Sequence, residues 1–100
     1  MAGTIGIGYN EIVINSGDTT ALTNLKLSGL LIIRSMDSRI IVLVYSFETN
    51  QLDILGNNSS AEFVKGDGDN ANTSYIFINK NSIVIHNTYT YAKAYKYILL

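Results

Sequence analysis

Gly29-Leu30-Leu31-Ile32-Ile33-Arg34-Ser35-Met36-Asp37-Ser38-Arg39-Ile40-Ile41-Val42-Leu43-Val44-Tyr45 is the stretch on which the fold turns. It holds two apolar runs, 30–33 and 40–45, divided by a short segment of Ser and Asp that reads as a turn. Ile and Val make up half of the first run and most of the second, and such β-branched side chains fit a pleated, half-buried surface. A strand with one wet face alternates apolar and polar residues. These two runs do not alternate, so both faces of each strand are expected to be dry. Unbroken apolar strands are usual in parallel sheets covered by helices, yet helix signals are nearly absent here. What remains to cover the second face is a neighbouring subunit, or the inside of a closed barrel.

Outward from this block the chain reads as short strands at 9–15, 21–27, 29–35, 39–47, 51–55, 62–65, 74–79, 82–87 and 94–100. Leu25 and Leu27, then Tyr95, Tyr97 and Leu99, keep the period-two alternation of half-buried strands. Turn residues separate the runs. Asn79-Lys80-Asn81 suggests a hairpin in which Asn takes the left-handed conformation, and Gly66-Asp67-Gly68-Asp69-Asn70-Ala71-Asn72 is the most loop-like segment. Closely spaced strands without intervening helices predict an all-β, antiparallel β-sandwich (jelly-roll-like) of about eight or nine short strands. One hundred residues suit a single domain over 1–100, with 1–8 as a flexible or linker-like N-terminal segment.

Composition narrows the function. Hydrophobic residues make up 47% and charged residues 15%, against a usual charged share of about 25%. That is little charge to cover a monomer's surface, and it points to an apolar face hidden by another subunit. The alternative is a greasy monomer rich in Asn, Ser and Thr. Net charge is −1 with the cations scattered, so there is no basic footprint for nucleic acid. No apolar run approaches the roughly 20 residues of a membrane helix, so no membrane insertion is expected. With no cysteine, neither a disulfide framework nor a Cys-based zinc site arises.

Catalytic constellations are weak. His86 is the sole histidine and reads as a hydrogen-bonded structural residue rather than a base; one imidazole anchors no ordinary zinc site. Glu48, Asp53 and Glu62 lie in or beside strands and are the least implausible pair-forming carboxylates for a glycan-processing hydrolase. Carboxylates on edge strands more commonly block edge-to-edge pairing. Asp67-Gly68-Asp69-Asn70 starts like a calcium loop but continues with Ala71 and reaches Ile78 where that loop has Glu. A solvated turn is the better reading. No catalytic, cofactor or metal-binding residues are assigned, and no enzyme is expected.

Tyrosine is the one enriched functional class, with seven residues and no tryptophan. Tyr95 and Tyr97 are expected to pack the sandwich or the subunit interface. Tyr89 and Tyr91 sit among threonines in a polar loop and are expected to be exposed, where a flat ring with a hydroxyl suits binding.

The stretch Ser74-Tyr75-Ile76-Phe77-Ile78-Asn79-Lys80-Asn81-Ser82-Ile83-Val84-Ile85-His86-Asn87, a polar hairpin, and Tyr97-Ile98-Leu99-Leu100 resemble the closing strands of bacteriophage fibre head domains. The block from Gly29 to Val44 is similar to their paired central strands. The resemblance covers most of the chain from about Gly29 onward, and it is one of pattern, without an invariant motif. It implies a small trimeric β-sandwich on a virion fibre or tail that contacts a host surface glycan or protein. The chain has no heptad-patterned stalk before the head, which such fibres have. The expected role is therefore a receptor-binding head in host attachment. A structural capsid or tail decoration protein is the alternative, and a glycan-processing hydrolase the third reading. Candidate partner contacts are the loop residues Asn57, Asn58, Asp67, Asp69, Asn70, Asn72, Tyr89 and Tyr91. Candidate subunit contacts are Leu31, Ile33, Ile41 and Leu43.

Overall fold

A computed structural model describes residues 9–23, 25–35 and 39–100. The expectations for 1–8 and for the turn at 36–38 fall outside the described residues. Among the described residues nine strands form two sheets: β1 (Asn10–Ile14), β2 (Thr19–Ala21), β3 (Ser28–Ser35), β4 (Ile40–Ser46), β5 (Gln51–Asn57), β6 (Phe63–Lys65), β7 (Ser74–Asn79), β8 (Ser82–Asn87) and β9 (Lys93–Leu99). The five-stranded sheet runs β1-β9-β3-β4-β5 and the four-stranded sheet β2-β8-β7-β6. Pairing β1 with β9 and β2 with β8 brings opposite ends of the chain side by side in both sheets, as in a jelly roll. One pair departs from the antiparallel expectation: β6 and β7 run parallel, joined by the crossover 66–73.

The two apolar runs become β3 and β4, paired from Ser28 opposite Ser46 to Arg34 opposite Ile40. Period two then divides their side chains between two environments. Leu31, Ile33, Ile41 and Leu43 are 0% exposed and join Tyr45, Tyr95, Tyr97, Phe63, Ile76, Ile83 and Ile85 in one core between the sheets. This corrects their assignment to the subunit contact, because side chains fully enclosed in one chain offer a neighbour no surface. The alternate set faces outward: Ile98, Ile32 and Val42 lie in one row across three strands, with Leu30 and Val44 beside them. In the single chain these outward residues are partly covered by one another, and Val44 is 36% exposed.

The sandwich layer is closed by polar atoms that find partners inside. Tyr95 and Ser74 hydroxyls meet at 2.6 Å across the two sheets, and the Tyr45 hydroxyl donates to Lys26 O at 2.9 Å. Burial pushes the phenols of Tyr95 and Tyr45 above the ordinary tyrosine range. The alternation of Leu25 and Leu27 does not make a strand at 21–27. β2 ends at Ala21, Leu22 enters the core, and Leu27 is exposed. Thr23 N donates to the Tyr97 hydroxyl at 3.2 Å, so the segment passes between the sheets held by tyrosine hydroxyls instead of a ladder. In the β7–β8 hairpin Lys80, at φ 55°, takes the left-handed position that was expected of asparagine.

Candidate functional site

Three of the loops converge at one end of the sandwich. Ala61 from the β5–β6 connection, Asn72 from the β6–β7 crossover, and Tyr89 and Tyr91 from the β8–β9 connection line a cleft of about 490 Å³ with Arg39, just before β4. The loops are fastened to one another. The Thr88 hydroxyl accepts from Thr73 N at 2.9 Å and donates to Asn70 O at 2.6 Å, stitching the crossover to the β8–β9 connection. Asn87, 0% exposed at the end of β8, accepts from Tyr89 N at 2.9 Å. Its amide donates to Ile14 O at 2.9 Å and Tyr91 O at 3.0 Å. One asparagine thereby fixes both the turn that carries the tyrosines and the end of β1.

Beneath the cleft lies an ionic group. The Glu62 carboxylate is 0% exposed; its Oε1 accepts from Arg39 Nη1 at 2.9 Å and its Oε2 is 2.9 Å from Lys93 Nζ. Lys93 is itself buried, and its ammonium sits 3.9 Å from the centre of the Tyr89 ring, a cation–π contact with the ring as the floor. Tyr89 and Tyr91 rings stand 5.4 Å apart at 56°. Burial, then the Glu62 charge, raises the Tyr89 phenol above its usual range. A carboxylate and an ammonium removed from water need one another, so taking away either leaves the other's charge buried.

The placement of the expected partner contacts is mixed. Asn72 and Tyr91 line the cleft, with Tyr91 55% exposed. Tyr89 is 7% exposed, which corrects the expectation of an exposed ring: Lys93 and the Asn87 hydrogen bond draw it down. Asn57 donates to Phe63 O at 3.1 Å and accepts from Ser59 N at 2.9 Å, and Asn58 accepts from Ile40 N at 2.7 Å. Asn57 shapes its own loop, and Asn58 ties that loop to the start of β4. Asp69 and Asn70 are exposed on the crossover. Asp67 accepts from Gly68 N and meets His86 Nδ1, both at 2.8 Å, so the sole histidine has a structural partner. That contact holds the Asp67 carboxyl below its usual range. Gly68 lies flat on the Tyr75 ring, where an added Cβ would come within 2.8 Å.

Sequence reasoning missed Arg39, Glu62 and Lys93 as a unit. Glu62 is expected on an exposed strand edge, and its complete burial corrects that expectation. The signal for Lys93 was present: it shares parity with Tyr95 and Tyr97, so a strand extended by one residue points it inward. Glu48 sits in the β4–β5 turn, and Asp53 on β5 accepts from the Gln51 amide. Among the described residues no three His, Asp or Glu side chains gather to hold a metal ion. Nor is any helix there long and apolar enough to cross a membrane.

Compared with known proteins, the chain matches no protein-family model, no curated protein and no solved structure.

Proposed function

We propose that the protein is a non-catalytic adhesion module, the head of a virion fibre or tail. In this reading it forms a homotrimer through the outer face of its five-stranded sheet. The loop end then attaches to a host surface glycan or protein. The observation that carries it is the cleft built by Arg39, Ala61, Asn72, Tyr89 and Tyr91 from separate segments of the chain. Binding residues concentrate on loops held by a rigid scaffold, and here the loops are cross-linked by Thr88 and Asn87. The apolar outward row Ile98, Ile32 and Val42 supports the assembly half of the reading. The trimeric number rests on the resemblance to fibre heads. Several copies of one weak site on a single particle raise avidity without any new contact.

The same apolar row also favours a second reading, a decoration protein that cements a capsid or tail and touches no receptor. Host-cell adhesion by the purified protein separates the two. The adhesion module binds susceptible cells, and Tyr91→Ala releases it while leaving the assembly intact. If the assembled protein binds no cells and no glycans, the decoration reading stands instead.

A further inference from the structure

We propose that Asp67 and Gly68 form a covalent modification site, independent of what the cleft binds, where the chain isomerises to isoaspartate with His86 as the brake. The chemistry needs a carboxyl, the amide nitrogen that follows it, and water. With the carboxyl protonated, Gly68 N attacks Asp67 Cγ and closes a five-membered succinimide. The carboxyl hydroxyl leaves with the amide hydrogen as water. Water then adds to one of the two ring carbonyls. Opening at the former backbone carbonyl breaks its bond to Gly68 N and frees it as a carboxylate, so the main chain now runs through Cβ and Cγ. Opening at Cγ restores Asp. No oxidant or reductant takes part, and the isomer keeps the parent mass.

Geometry singles out this residue on the crossover. Asp67 Oδ1 accepts from Gly68 N at 2.8 Å, so the attacking nitrogen faces its own carboxyl. Asp67 has 54% of its side chain exposed, which admits water. Gly68 carries no side chain to shield the nitrogen, and none fits, since an added Cβ would meet the Tyr75 ring at 2.8 Å. The neighbouring candidates lack this arrangement. After Asp69, Asn70 N donates to the Tyr75 hydroxyl at 3.0 Å. After Asn72, Thr73 N donates to the Thr88 hydroxyl at 2.9 Å. Both nitrogens are committed away from the side chain that precedes them.

His86 opposes the reaction. Its Nδ1 lies 2.8 Å from Asp67 Oδ1 and favours the carboxylate, whereas the ring closure needs the neutral acid. The carboxylate must leave the imidazole and gain a proton before Gly68 N can attack. Isomerisation then abolishes the contact, because the main chain gains a methylene between positions 67 and 68 and the free carboxylate moves to Cα. Gly68 loses its seat on Tyr75. The crossover also holds Asn70, whose carbonyl accepts from the Thr88 hydroxyl at 2.6 Å, and Asn72 on the cleft wall, so the displacement reaches the loop end.

The test is prolonged incubation of the full chain in warm neutral buffer, with isoaspartate located by peptide mapping and electron-transfer fragmentation. Isoaspartate is expected to accumulate at Asp67, with a minor form lighter by one water, while Asp69 stays intact. His86→Ala and the bulk-retaining His86→Phe, both checked for the parent circular dichroism, should speed the reaction severalfold in the folded chain. In urea each should match the parent rate, because the brake exists only in the fold. Asp67→Ser should fold and give no isoaspartate at that position. Aged parent protein should show NMR shifts from Gly66 to Thr73 and at His86 and Thr88. An intact Asp67 in a sample whose other Asp or Asn residues have changed overturns the site. Equal rates for folded parent protein and both His86 variants overturn the brake.

Discussion

The outer face of the five-stranded sheet and the loop end are opposite in chemistry. Ile98, Ile32, Val42, Leu30 and Val44 form an apolar row across β9, β3 and β4, with Arg34 and Lys96 beside it. The loop end is concave and polar, held by side-chain hydrogen bonds from Asn87 and Thr88 and by the ion group of Arg39, Glu62 and Lys93. An apolar sheet face suits a lasting contact with a copy of itself, whereas a polar cleft suits reversible contact with a hydrated ligand. The contrast teaches that one parity of side chains on regular strands makes the apolar face, whereas the polar cleft depends on loops tied together by buried polar groups.

The most severe way to break the loop end is to remove one member of its buried ion pair. Lys93→Ala leaves the Glu62 carboxylate without its buried partner and should lower stability by about 3–5 kcal/mol in urea denaturation. The charge-free pair Glu62→Gln with Lys93→Met should recover most of the loss. If Lys93→Ala unfolds at the parent midpoint, the ion group does not hold this end.

The two faces of β3 can be set against each other in the same assay. Leu31→Ala opens a cavity in a 0% exposed site and should cost about 2–5 kcal/mol without changing the number of subunits. Leu30→Ser, one residue away on the outward face, should cost about 1 kcal/mol or less in the dilute chain and act on assembly instead. Equal costs would mean that the alternation inside this run is not as described.

The smallest effect belongs to Asp67. Its carboxyl is held below its ordinary range by His86, so the contact contributes stability that is present above the unfolded value, about pH 3.9, and is lost as pH falls through the lower folded value. Because Asp67 is more than half exposed, solvent screening keeps the contribution slight. Asp67→Asn should flatten the acid limb of the stability–pH curve below about pH 4 and leave neutral stability nearly unchanged.

Much of this architecture was legible in the residues. Eight of the nine strands fall where β-branched runs and Asn, Ser and Gly turns place them, because local pattern and ladder agree there. Within 30–33 and 40–45, however, no polar residue marks which parity faces the core, so the inward set could not be told from the outward one. At 21–27 two alternating leucines suggested a strand, while hydroxyl contacts from Tyr97 and Tyr45 settled a crossing. For the cleft, the loop residues Asn72 and Tyr91 were readable from polarity. The inward parity of Lys93 was readable, but its meeting with Arg39 and Glu62 was not, since that depends on sheet order across many residues of chain.

Sedimentation velocity at micromolar protein, with and without Ile32→Glu and Val42→Glu together, reads out whether the outer sheet face joins copies of the chain. The parent protein should sediment as three chain masses, and the double variant as one folded chain, its β-sheet circular dichroism retained. A parent protein that sediments as a single chain at that concentration would rule out assembly through this face.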